Sequence, residues 1–198
     1  MDEATIRTYN KFFREYDEDV TDFWRNFPTR TIDRFCIRLK NKKILDLGSG
    51  SGRDALILRD RGLEIICCDA SREMVNLTRQ LGFETIECDF MDLKFKDNSF
   101  DGIWAYTSLL HIKKEEIEKV LKKLYKTLKS GGVFLIGMIE GIYEGEVERE
   151  NMPGEKRYFK FYKENEIKNI VEKAGFKFEF QEKYKPSSKT YLAQIYRK

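Results

Sequence analysis

Between Lys43 and Ile139 the chain alternates short, β-branched apolar runs with stretches whose apolar residues recur at helical spacing. That alternation constrains the fold more than any other feature. "KILDL", "LEIICCD", "FETIEC", "GIWAY" and "VFLIGMI" read as buried strands. "GRDALILRDRG" reads as a helix closed by Gly62, and "REMVNLTRQL" as a helix capped by Ser71 and ended by Gly82. Ile117, Val120, Leu121, Leu124 and Leu128 form one apolar face of a third helix, which "KSGG" stops. Strands joined by crossover helices pair in parallel, so a mostly parallel α/β sheet with helices on both faces is expected.

The flanks complete this plan. Upstream, Tyr9, Phe12, Phe13 and Tyr16 recur at helical spacing, as do Val20, Phe23, Trp24 and Phe27, and then Ile32, Phe35, Cys36 and Leu39. Pro28 separates the last two sets. Downstream, a charged stretch from Glu140 to Lys160 breaks the rhythm before the helix "ENEIKNIVEKAG". "FKFEFQE" and "TYLAQIYRK" follow without a helix between them, which predicts an antiparallel edge hairpin and seven strands in all. One domain over 1–198 is expected: a helical cap over 1–40, a ligand-binding core over 41–139, and a substrate-side insertion with closing strands over 140–198.

Composition narrows the functional classes. With 36% charged and 41% hydrophobic residues and three prolines, a disordered or collagenous chain is excluded. No apolar run approaches the roughly 18 residues of a membrane helix, and "MDEATIRTYN" has no signal-peptide pattern, so a cytoplasmic protein without membrane contact is expected. The 37 basic and 34 acidic residues are interleaved, without the clustered basic face that nucleic acid favours. Cys36, Cys67, Cys68 and Cys88 form no CxxC pair, and His111 is the single histidine. Reduced thiols and no metal site are expected.

Gly48, Gly50 and Gly52 sit where the first strand ends, the end at which parallel sheets bind ligands. A P-loop is excluded, because Arg53 and Asp54 follow where Lys and Ser/Thr are required. The spacing is GxGxG rather than the dinucleotide GxGxxG, and Asp46 precedes the loop, which suits a ligand with a cationic group. Asp69, ending the second strand, is placed to accept both hydroxyls of a ribose. A nucleoside with a cationic, amino-acid-like tail satisfies both acids.

"ILDLGSGSG", "ICCDAS", "ECDFMDL", "SFDGIWAYTSLLHI" and "LKSGGVFLIGMIEG", in that order over about residues 40–198, resemble the class I S-adenosylmethionine-dependent methyltransferases. The likeness is to small freestanding members, among them quinone-biosynthesis and tellurite-resistance enzymes. It implies a Rossmann-like sheet and S-adenosylmethionine as cofactor. By the resemblance, Gly48, Ser49 and Gly50 pass under the methionine, Asp46 lies near its ammonium, and Arg53 reaches its carboxylate. Asp69 holds the ribose, Ala70 and Met74 line the adenine, Asp89 meets its amino group, and Phe90 packs on the ring. Ala105 and Tyr106 flank the methyl group.

Methyl transfer from a sulfonium depends mainly on orientation, worth ~7 to 11 kcal/mol of barrier, so a base is dispensable. If one is used, His111 is the candidate, with Tyr106 or Glu140 touching the acceptor. The aromatic run Arg157 to Tyr162 is placed to stack on a substrate, or to sit in the core, and Tyr9 and Tyr16 to close over the cofactor. A small-molecule acceptor is the leading expectation. A tRNA or protein acceptor, met through "LKKLYKTLK", and a non-catalytic cofactor-binding module are the alternatives.

Overall fold

The computed structural model describes residues 1–25, 29–186 and 188–198, with the side chains of 20–25 and Thr29 left aside. Of the second helical repeat, the side chains of Val20, Phe23 and Trp24, together with Phe27 and Pro28, lie outside the described residues.

The core follows the alternation in the sequence. Strands β1 (Lys43–Leu47), β2 (Glu64–Asp69), β3 (Glu84–Glu87), β4 (Phe100–Tyr106) and β5 (Leu128–Ile139) pair in parallel. Their connections carry α4 (Arg53–Asp60), α5 (Arg72–Gln80) and α6 (Ile117–Thr127), preceded in the chain by α1 (Glu3–Lys11), α2 (Phe13–Arg25) and α3 (Thr29–Cys36). After β5 come β6 (Glu144–Arg149), β7 (Met152–Lys160), α7 (Glu164–Lys173), β8 (Lys177–Tyr184) and β9 (Tyr191–Arg197). The seven-stranded sheet has the order β3-β2-β1-β4-β5-β9-β8, with β8 and β9 as the expected antiparallel hairpin. Strand order reverses between β1 and β4, which opens a crevice at their carboxyl ends.

Both faces are covered, because the central strands β1, β4 and β5 bury side chains in both directions. Ile32 and Phe35 of α3 and Ala55 and Leu58 of α4 pack on one face. Val120, Leu121 and Leu124 of α6 and Ile167 and Val171 of α7 pack on the other. The Ser71 hydroxyl caps α5 by accepting the Met74 N–H, and Gly62 and Gly82 take positive φ past the ends of α4 and α5. No helix among the described residues is long and apolar enough to cross a membrane.

Three features depart from the sequence reading. The charged stretch after β5 holds a separate hairpin, β6 with β7, because alternate residues face inward despite the charge. The first aromatic repeat is split by a break at Phe12, so Tyr9 and Tyr16 belong to different helices, their rings edge to face at 5.1 Å. Cys68 and Cys88 form a disulfide rather than two thiols. The parallel register of β2 and β3 brings their carboxyl ends together, and the Cys88 N–H donates to the Asp69 carbonyl at 2.9 Å.

Candidate active site

The loop after β1 is shaped by glycine. Gly48 adopts φ +74°, and a Cβ there would stand 2.3 Å from the Cβ of Ser108. Only a residue without a side chain leaves this passage between the ends of β1 and β4 open. The Gly48 and Ser49 N–H groups both donate to the Cys68 carbonyl, tying the loop to the end of β2.

Asp69 continues that tie. Its carboxylate accepts the Gly50 N–H at 2.9 Å and the Ser71 N–H at 2.8 Å, so one side chain positions both the glycine loop and the start of α5. Burial holds its pKa above the ordinary carboxylate range, opposed by those donors. Behind the loop, Asp46 is 2% exposed, and its Oδ2 has no hydrogen-bond partner among the described residues. Burial raises its pKa well above normal, and the Asp54 and Asp69 charges add to the rise. Asp54, in the first turn of α4, accepts the Trp104 indole N–H at 2.6 Å. Burial lifts its pKa to about 7 against the pull of that bond.

Two adjoining hollows open beside this loop, of about 40 and 150 Å³, sharing walls of Tyr9, Tyr16, Gly48, Tyr106, Thr107 and His111. The smaller also meets Met1, Gly50, Asp69, Met74 and Phe90. The larger also meets Ser49, Arg53, Asp54, Arg149, Arg157 and Tyr191. Thr107 forms part of the wall with φ +54°, a conformation that β-branched residues avoid. The roof is α1, held on β7 by the Tyr158 N–H donating to Thr5 Oγ1 at 2.9 Å and by Thr8 Oγ1 donating to the Lys156 carbonyl at 3.1 Å. Tyr16 from α2 lies over Gly50, where an added Cβ would be 3.4 Å from its ring.

His111 sits in this roof, buried. Its Nδ1 lies 2.7 Å from the Tyr158 carbonyl, so that nitrogen carries the proton and donates. Nε2 then accepts the Tyr9 hydroxyl at 2.9 Å. Burial, with smaller contributions from the Arg157 and Arg149 charges, pushes the pKa down to about 3, although the backbone bond opposes this. The imidazole is therefore neutral, with its Nε2 lone pair engaged by the Tyr9 hydroxyl.

Of the residues singled out in the sequence, Gly48, Ser49, Gly50, Arg53, Asp69, Met74, Phe90, Tyr106 and His111 meet at the two hollows. Asp46 and Ala70 do not line them. Ala105 does not either; contrary to expectation it is buried in the core cluster that holds Leu110 and Phe134. Asp89 accepts the Met1 ammonium on both oxygens at 2.7 Å. Glu140 pairs with Lys183 at 2.6 Å. Arg53 pairs with Asp17 at 3.0 Å. The sequence reading missed Asp54, Thr107 and Arg149, and within "RYFKFY" it did not single out the arginine.

Residues 45–136 match the family described as "Methyltransferase domain". A sarcosine/dimethylglycine N-methyltransferase of Aphanothece halophytica is 30% identical over 132 residues, 60% of this chain and 46% of that protein. An uncharacterized methyltransferase of Staphylococcus carnosus is 29% identical over 84% of this chain and 79% of its own length. By this match residues 45–136 are a methyltransferase domain, and the chain resembles the class I S-adenosylmethionine-dependent methyltransferases. It spans about half the length of the Aphanothece relative. The DhpI-SAM-HEP complex shares the fold along its entire length, with TM-score 0.80, 17% identity and full coverage of both chains.

The cofactor of this methyltransferase family is S-adenosylmethionine, and the chain's residues fit it. The orphaned Asp46 oxygen and the raised pKa values of three neighbouring acids mark a buried region short of positive charge, which a cationic ligand relieves. The opening over Gly48 admits a ligand where any side chain would collide.

The strain of these acids is measurable in the free methyltransferase. Between pH 4 and 7 the folded state keeps a proton on Asp54 that the unfolded chain has released. Asp54 therefore lowers stability as pH rises through that window. Asp54→Asn is expected to match the wild type near pH 4 and to exceed it increasingly up to pH 8, by ~4 kcal/mol at most. Denaturant melts at a series of pH values check this, and a constant gap would contradict it.

Proposed function

We propose that this chain transfers the methyl group of S-adenosylmethionine to a small molecule. The supporting observation is the larger hollow, a concave site beside the glycine loop that α1, α2 and β7 roof over and that aromatic side chains line with a few charged groups. When bound, the cofactor supplies a methyl group already activated on a sulfonium.

The chain's residues then bind, orient and exclude water. The Gly48 to Gly52 loop runs beneath the methionine, with Asp46 toward the ammonium and Arg53 toward the carboxylate. Asp69 accepts the ribose hydroxyls, Met74 and Phe90 pack about the adenine with Ala70 at its edge, and Asp89 receives its amino group. Tyr106 and Thr107 close the wall beside the methyl. Tyr9, held by neutral His111, and Tyr16 exclude water and fix the angle of approach, so orientation carries the reaction.

Incubation with methyl-labelled S-adenosylmethionine and separated metabolite, RNA and protein fractions tests this reading. Label is expected in a compound of low molecular weight, with no inflection in rate from His111 between pH 5 and 9, because its pKa is about 3. Label only in RNA or protein would overturn the acceptor class. Cofactor binding without transfer to any fraction would instead favour a binding module.

A further inference from the structure

Arg157 is one of the largest fully buried side chains, 2% exposed, yet it makes no hydrogen bond or ion pair with any described residue. Its guanidinium lies 4.9 Å from the Tyr9 ring centroid and 5.3 Å from that of Phe159. Those rings are cation–π neighbours and supply no hydrogen-bond acceptor in the guanidinium plane. Nη2 is buried without a partner among the described residues. A buried cation whose N–H group finds no acceptor is destabilising. A ligand that supplies the missing acceptors would account for that cost.

The surroundings define the ligand's chemistry. Arg157 lines the larger hollow, and Arg149 lines the same hollow while pairing with Asp19 at 3.3 Å. Asp54 lines the hollow on the side of the glycine loop, with Asp46 behind it. The hollow is therefore acidic toward the loop, suited to a cation; toward β7 it holds Arg157 beside the Arg149–Asp19 pair, which leaves one net positive charge suited to an anion. Arg157 also stands beside Tyr9 in the roof, whereas Arg53 serves the glycine-loop side.

We propose that the methyl acceptor carries an oxyanion, a carboxylate or a phosphate-type group, which Arg157 binds through its planar fork with Arg149 adding charge. This rests on the methyltransferase reading, because it places the acceptor and not the cofactor against β7. A fork of two parallel N–H donors matches either oxyanion. The group fixes the acceptor's far end and so sets specificity.

The test is calorimetric titration of the full chain, with S-adenosylhomocysteine present and ionic strength held constant. Inorganic phosphate is the probe in one arm and acetate in the other, and the stronger binder identifies the oxyanion type. Saturable binding to the wild type is expected, weakened roughly tenfold or more in Arg157→Met, with S-adenosylhomocysteine affinity unchanged. Arg157→Met is also expected to melt higher than the wild type without ligand, since it removes an unpaired buried charge. Arg157→Lys, which keeps the charge and loses the fork, is expected to weaken the anion while leaving the fold intact. Anion binding equal in the wild type and Arg157→Lys, or absent from the wild type, would overturn the proposal. So would a fall in S-adenosylhomocysteine affinity on replacing Arg157, which would assign the guanidinium to the cofactor's carboxylate. Failure of S-adenosylhomocysteine to bind the wild type would overturn the methyltransferase reading, and the anion arms would still report on Arg157.

Discussion

Replacing Gly48 with alanine is expected to weaken S-adenosylmethionine binding by roughly tenfold or more, since the loop the cofactor is proposed to cross must shift to relieve the clash. Two causes act together. The residue sits at φ +74°, where an L side chain costs roughly 1 to 2 kcal/mol, and its new Cβ would stand 2.3 Å from that of Ser108 and 3.0 Å from the Phe90 ring. The loop must move, and the hydrogen bonds from Gly48 and Ser49 to the Cys68 carbonyl move with it. The sheet lies behind the loop, so far-UV circular dichroism should stay native while calorimetry records the lost affinity. Full affinity in a folded Gly48→Ala protein would show that the cofactor does not cross this loop.

Asp69→Ala is expected to cost at least about 100-fold in cofactor affinity, since two hydrogen bonds to a carboxylate are each worth ~1.5 to 3 kcal/mol. The same substitution frees the Gly50 and Ser71 N–H groups, so a lower melting temperature should accompany it. Asp69→Asn separates the two effects. It remains an acceptor toward the loop but cannot accept both ribose hydroxyls as an anion does, so stability should recover more than binding. Cofactor affinity in Asp69→Ala within about threefold of the wild type would remove Asp69 from the ribose site.

The parallel core was legible because burial on both faces writes itself as continuous β-branched runs, and because glycine marks the ends of α4 and α5. The glycine loop was legible for a related reason: positive φ at Gly48 and Gly50 demands that residue type. The hairpin of β6 and β7 was not. Glu144 to Arg149 bury one side by meeting β7, and no local signal separates that from a solvated charged loop. Arg157 shows the same limit, since an arginine among aromatics reads as surface until α1 closes over it. Asp54 looked like an ordinary first-turn acid of a helix, and its significance comes from Trp104, far away in the sequence. Thr107 carries its strain in the backbone alone, and the residue type gives no warning of it.

The disulfide between Cys68 and Cys88 bears on the two acids proposed to hold the nucleoside. Each cysteine is followed directly by an acid, Asp69 in one case and Asp89 in the other. β3 is a four-residue edge strand whose only neighbour in the sheet is β2, so hydrogen bonding alone holds its end loosely. The covalent link turns β2, α5 and β3 into a closed ring and makes the distance between the two carboxylates a property of the folded chain. The entropy of setting that distance is then spent during folding, so the nucleoside proposed to bind there would meet a ruler already cut to length.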